Sequence, residues 1–158
     1  MNPSGYVAIL VSFFVAMVLA VFPMPDLMNY VRPEWVVMTL IFWVLAVPLR
    51  IGILMGFAMG LLLDVLEGHL LGQSALAMSV IAYLSLALYG RLRLFNPLQQ
   101  SLIVFVLVGL YQLIHYWAES MIIGQGQAVL LLPSLGSAVL WPLWYGLLNW
   151  VRHSFRIA

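Results

Sequence analysis

Apolar residues fill this chain in six long runs, at about 6–22, 34–49, 51–66, 70–89, 98–123 and 133–151, and the breaks between them are short and polar or proline-bearing. An α-helix needs about 20 apolar residues to cross a hydrocarbon core of roughly 30 Å, and most of these runs approach or exceed that length. The pattern predicts an all-α integral membrane protein, a single domain of six transmembrane helices. The third run, of about 16 residues, is at the lower edge of the range, so its helix should stand nearly upright or be shielded by neighbours. The first run follows MNPSG, which has no Lys or Arg, and precedes VFPMPD, which offers no small-residue cleavage site. It therefore reads as a retained helix rather than a signal peptide. Pro133 suits the first turn of the sixth helix, and Pro142 inside it predicts a kink flanked by Trp141 and Trp144 as interfacial aromatics.

Within this framework, the stretch Gly52–Leu76 is the one about which the rest is expected to be organised. Gly52, Gly56 and Gly60 recur every fourth residue, and Asp64 continues the series. Four residues advance about 400° around a helix, so the series stays on one stripe that drifts by only ~40° per step. Small residues at this spacing let another helix approach closely, and an ionisable group at membrane depth is a functional candidate by default. Glu67, Gly68, His69 and Gly72 then form a polar turn before the return crossing, with Glu67 and His69 read as solvated turn residues.

Composition fixes the solvent as a bilayer: 65% of the 158 residues are hydrophobic and 7% are charged, against roughly 25% charged in a soluble domain. A net charge of +1 argues against an electrostatic role with nucleic acid. Cysteine is absent, which excludes disulfides and Cys-ligated metal. All six basic residues are arginine, and their distribution sets a topology. Arg50, Arg91, Arg93, Arg152 and Arg156 fall in the even-numbered turns or the tail, leaving Arg32 alone on the other face. The positive-inside rule then puts both termini in the cytoplasm. Asp26, Glu34, Asp64, Glu67 and Glu119 make the opposite rim acidic. No loop exceeds about a dozen residues, so any function lies within or beside the membrane.

The chemical candidates are few. Asp64 is either a partner or solute contact or a structural group that sits at the interface, caps the turn through Gly68 or pairs with Arg32. His115 and Glu119, four apart on one helix face, could form a proton relay or half a metal site; two ligands are not a site, and a local hydrogen bond is the plainer reading. Glu34, after Arg32 and Pro33, is an acidic first-turn residue favoured by the helix dipole, or else an outward-facing contact. The glycine ladder packs helices within the chain or against a partner. No nucleophile and base stand at a catalytic spacing, and neither a phosphate loop nor HExxH occurs, so neither an enzyme nor a cofactor is expected.

One ordered set of motifs carries a family resemblance: FPMPD at Phe22 to Asp26, RPEW at Arg32 to Trp35, GFAMGLLLD at Gly56 to Asp64, then Gly68, LGQSAL at Leu71 to Leu76 and LWP at Leu140 to Pro142. Together with the length and the number of spans, they make the chain resemble MreD, the rod shape-determining membrane proteins of bacteria. The resemblance implies a subunit of the Rod complex, or elongasome, in the inner membrane. Its partners there would be MreC, most directly, with MreB, RodZ, RodA and a class B penicillin-binding protein. A six-helix fold similar to the S-components of energy-coupling-factor transporters is also implied. The family supplies no catalytic residue or cofactor, and no role for Glu67 or His69. Two functions follow for comparison: a non-enzymatic scaffold in lateral peptidoglycan synthesis, and an S-component-like solute-binding module. A solute pocket would collect convergent polar groups, and the middles of the six spans nearly lack them, which favours the scaffold.

Overall fold

The computed structural model describes residues 3–23, 25, 33–68, 70–123 and 132–157, and among them six α-helices follow one another. They are α1 (Pro3–Val21), α2 (Trp35–Ala46), α3 (Ile53–Glu67), α4 (Gln73–Leu92), α5 (Pro97–Ile123) and α6 (Leu132–Ser154). By length and composition, α1, α4 and α5 can cross a membrane, while α2 is apolar but shorter.

Helix α2 is the axis of the bundle. Every residue from Val36 to Val44 is buried, so the helix is covered on all sides. It packs against α1, α4, α5 and α6. Its 12 residues span only ~18 Å, well short of the ~30 Å hydrocarbon core. Such a helix can sit at membrane depth only because its neighbours cover its ends. The molecule is thus centred on α2, and Gly52–Leu76 forms a hairpin beside it rather than the organising element. A stripe of glycines signals one close contact; a helix too short to reach both membrane faces needs neighbours around its ends.

The helices alternate in direction. Arg50, just beyond α2, donates to the Tyr6 hydroxyl at the start of α1. At the opposite end the backbone N–H of Glu34, preceding α2, donates to Ser137 Oγ early in α6 at 3.0 Å. The starts of α1, α3 and α5 therefore lie with the ends of α2, α4 and α6. Several helix boundaries differ from the apolar runs by two or three residues, and two of them have a clear local cause. Helix α2 stops at Ala46 because Pro48 disfavours the helical region for Val47, which has φ −136° and ψ 66°. The chain then turns, with the N–H groups of Arg50 and Ile51 both on Val47 O. Helix α4 starts at Gln73, after a Leu70–Gly72 turn closed by Gln73 N on Leu70 O, with Gly72 at φ 99°. That left-handed angle is open to glycine at no steric cost.

The six-helix interior also revises the reading of two tryptophans. Trp141 is fully buried and Trp144 is 7% exposed, so both belong to the core rather than to an interfacial belt. Pro142 lies within an uninterrupted α6.

Candidate functional site

The glycine ladder and Asp64 together build the junction between α3 and α4. A methyl group at Gly60 would lie 2.4 Å from Ala75 Cα and 2.6 Å from its nitrogen, so here α3 rests on the backbone of α4. At Gly56 a Cβ would be 3.0 Å from Met78 O, 3.2 Å from Ala82 Cβ and 3.3 Å from Leu40 Cδ2, a close but partly yielding contact. Gly52 is looser, its nearest neighbour being Leu86 Cδ1 at 3.4 Å. The stripe therefore faces α4 within the chain along its whole length and tightens toward Asp64.

Asp64 completes the junction electrostatically. Its carboxylate is fully buried; Oδ1 accepts from Ser74 N at 3.0 Å, and Oδ2 accepts from Gly72 N at 3.0 Å and Ser74 N at 3.1 Å. These N–H groups open α4, where the first turn has no partners within the helix and the dipole is positive. A carboxylate from the preceding helix satisfies both needs. Gly68, at φ 73°, ends α3 in the left-handed cap conformation, its N–H on Asp64 O. The short chain from Gly68 to Gly72 can then turn α4 back under its own anchor. No Cβ clash would occur at Gly68 or Gly72, which serve through backbone angle alone.

The polar groups around this junction come from α4 and α5. Tyr111 OH donates to Ser74 Oγ at 3.4 Å. Gln73 Nε2 donates to His115 O at 2.9 Å and lies 3.4 Å from His115 Nδ1. His115 is thereby tied to α4, with its ring beside Tyr111 and Tyr116. Glu119 is half-buried one turn further along α5, Glu34 holds the position before α2, and Glu67 ends α3 in an exposed position. Arg32, Asp26 and His69 lie outside the described residues, and with them any pairing of Arg32 with Asp64. Among the described residues, no three His, Asp or Glu side chains gather as a metal site would need.

Sequence reasoning missed a second set of polar groups, deep in the bundle. Trp43 Nε1 donates to Ser12 Oγ at 2.8 Å, and Ser12 Oγ itself donates to Ile9 O. Trp144 Nε1 donates to Thr39 Oγ1 at 3.1 Å, and Thr39 donates to Trp35 O. Trp141 Nε1 donates to Gln100 Oε1 at 3.2 Å, and Gln100 Nε2 donates to Leu92 O. In each case a buried indole on one helix meets a polar group on another that is itself anchored to a carbonyl. These links knit α1 to α2, α2 to α6 and α5 to α6. The three indoles are thus each paired, with partners that stand 31 to 105 residues apart, while Trp35 Nε1, Ser85 Oγ and Gln112 Oε1 are buried without a hydrogen-bond partner among the described residues. Two apolar hollows flank α1: one of about 230 Å³ between α1 and α6, and one of about 400 Å³ beside the end of α1.

Comparison with known proteins converges on one family. The family model described as rod shape-determining protein MreD matches residues 1–151. The curated Rod shape-determining protein MreD of Haemophilus influenzae is 32% identical over 152 residues, covering 94% of this chain and 93% of that protein. No solved structure matches.

Proposed function

The chain belongs to the MreD family of rod shape-determining proteins, and from this we propose that it works as a non-enzymatic, multi-pass subunit of the Rod complex in the bacterial inner membrane. In this reading both termini are cytoplasmic, and the protein binds MreC and, through the same assembly, MreB, RodZ, RodA and a class B penicillin-binding protein. It thereby helps to organise lateral peptidoglycan synthesis. The observation that carries the reading is the family match along 1–151.

The apolar lining of the hollows beside α1 supports a scaffold over a solute carrier, because a solute site needs a few convergent polar groups in its pocket. The likeness of fold to S-components belongs to the same proposal, and six alternating helices are its support. The glycine stripe is occupied within the chain, so partner helices would use other faces. Candidates are the outward sides of α1 and α6, where Phe14, Val18, Val139 and Leu143 are exposed.

Depletion tests the role. Rod-shaped cells should swell or become spherical on loss of the protein and regain their shape with the intact gene, while MreC co-purifies with the wild-type protein. Normal rods in a clean deletion would overturn the proposal.

A further inference from the structure

The helix ends that meet the C-terminal tail carry the positive charge on which the proposed orientation rests, and three of these arginines, Arg93, Arg152 and Arg156, line neighbouring hollows there. Helix α6 closes in a Schellman turn: Ile157 N donates to Arg152 O at 2.9 Å, and Arg156 N donates to His153 O at 3.2 Å. The residue in the left-handed position is Arg156, at φ 50°. Glycine is usual there because a Cβ is disfavoured at that angle. A strained arginine in place of a free glycine points to a task for its side chain.

The turn buries Ile157 and leaves Arg156 exposed, so that Arg152, His153, Arg156 and Ile157 line one open hollow of about 380 Å³. Arg152 also lines a smaller pocket of about 90 Å³ between the helix ends, together with Arg93, Gln100, Tyr145 and Phe42. Arg93 stacks over its own neighbour Tyr89, and Arg152 reaches Ile157 O at 3.4 Å. Among the described residues neither these two arginines nor Arg156 pairs with a carboxylate. The described acids Glu34, Asp64, Glu67 and Glu119 belong to the opposite helix ends.

Three guanidinium groups that pair with none of the described acids form a receptor for a planar or tetrahedral oxyanion. The inner pocket is smaller than the roughly 300–1,000 Å³ of organic ligand sites, yet it can admit one phosphate group. The apolar groove between α1 and α6 runs to the same end, lined there by Val7, Val151 and Phe155 within one turn of Arg152. A charged niche and an apolar groove on separate faces of the same end of α6 match a molecule with a phosphate head and a hydrocarbon tail.

We propose that this end of the bundle binds an anionic phospholipid, with its phosphate between Arg93 and Arg152, Arg156 closing the outer side, and an acyl chain in the α1–α6 groove. The proposal rests on the membrane location and not on the Rod-complex role. Arg152 and Arg156 lie beyond the residues that match the family model, whereas Arg93 and most of the groove lie within them.

The test uses the full-length protein in detergent, with its thermal midpoint followed during titration with phosphatidylglycerol, phosphatidylcholine or inorganic phosphate. Phosphatidylglycerol should raise the midpoint, and the other two should not. Arg156→Gly is the informative variant, since it suits the left-handed angle while deleting the charge. Its unliganded midpoint should equal or exceed the wild type, while its apparent affinity for phosphatidylglycerol falls about five-fold, the equivalent of ~1 kcal/mol per basic residue at an anionic surface. Arg93→Gln with Arg152→Gln should lose about 25-fold on the same basis. An equal response to phosphatidylcholine would show chain binding alone, and an equal response to phosphate would show an ion site alone. Either result, or a wild-type response from Arg156→Gly, overturns the proposal.

Discussion

At Gly60 a single methyl group decides whether α3 and α4 can meet. The neighbouring atoms there are backbone and cannot yield as a side chain tip can, so Gly60→Ala should destabilise the protein by about 1–3 kcal/mol through overpacking. Gly56→Ala should cost less, because two of its three close neighbours are side-chain atoms, and Gly52→Ala least. Thermal midpoints of the three variants should fall in the order Gly52, Gly56, Gly60, and a flat series would show that the stripe does not set this contact. Asp64→Asn tests the other half of the junction. Asparagine can accept through one oxygen, but its amide turns a donor toward an N–H where Asp64 Oδ1 or Oδ2 now accepts. A loss of about 1–3 kcal/mol follows from an unsatisfied buried donor. It should appear as lower abundance or midpoint of the protein itself, in advance of any loss of MreC. Unchanged stability with weakened MreC recovery would move Asp64 from the fold to the partner interface.

Among the elements, α2 depends most on its surroundings and has the most to lose from a missing polar contact. Thr39→Val keeps the shape of the side chain and removes the acceptor for the Trp144 indole. With the indole N–H left buried and unpaired, stability should drop by about 1–3 kcal/mol. Thr39→Ser keeps the hydroxyl and should retain that hydrogen bond, losing only a methyl group, so its chemical or thermal unfolding midpoint should lie above that of Thr39→Val. Equal midpoints would mean that the indole finds another acceptor. The same contrast explains why α2 was legible as a helix but not as the axis. Its run of apolar residues is plain in the sequence, whereas Thr39 and Trp144 are 105 positions apart and nothing local joins them.

The whole molecule divides into a cationic end and an acidic end, and this asymmetry makes a topological prediction. Arg50, Arg91, Arg93, Arg152 and Arg156 gather where α2, α4 and α6 end and α1 begins. Under the positive-inside rule that end faces the cytoplasm. A reporter fused after Ala158 should be active only as a cytoplasmic fusion, and efficient alkaline phosphatase activity there would reverse the orientation.

Legible along the chain were the apolar runs that become helices, the charge asymmetry between their ends, the spacing that puts Gly52, Gly56, Gly60 and Asp64 on one stripe, and the motifs that carry the family. All of these are local or additive properties: periodicity, hydropathy and the order of short segments. Tertiary structure alone decided what each stripe touches. It set the glycines on the backbone of α4, turned Asp64 onto the N–H groups of Gly72 and Ser74, and enclosed α2. It also drew Trp141 and Trp144 inward to Gln100 and Thr39. The physical reason is that in a bilayer nearly every outward face is apolar as well, so hydrophobicity no longer marks the inside. Burial is then chosen by close packing and by the few buried donors that must find an acceptor, and both depend on residues far apart along the chain.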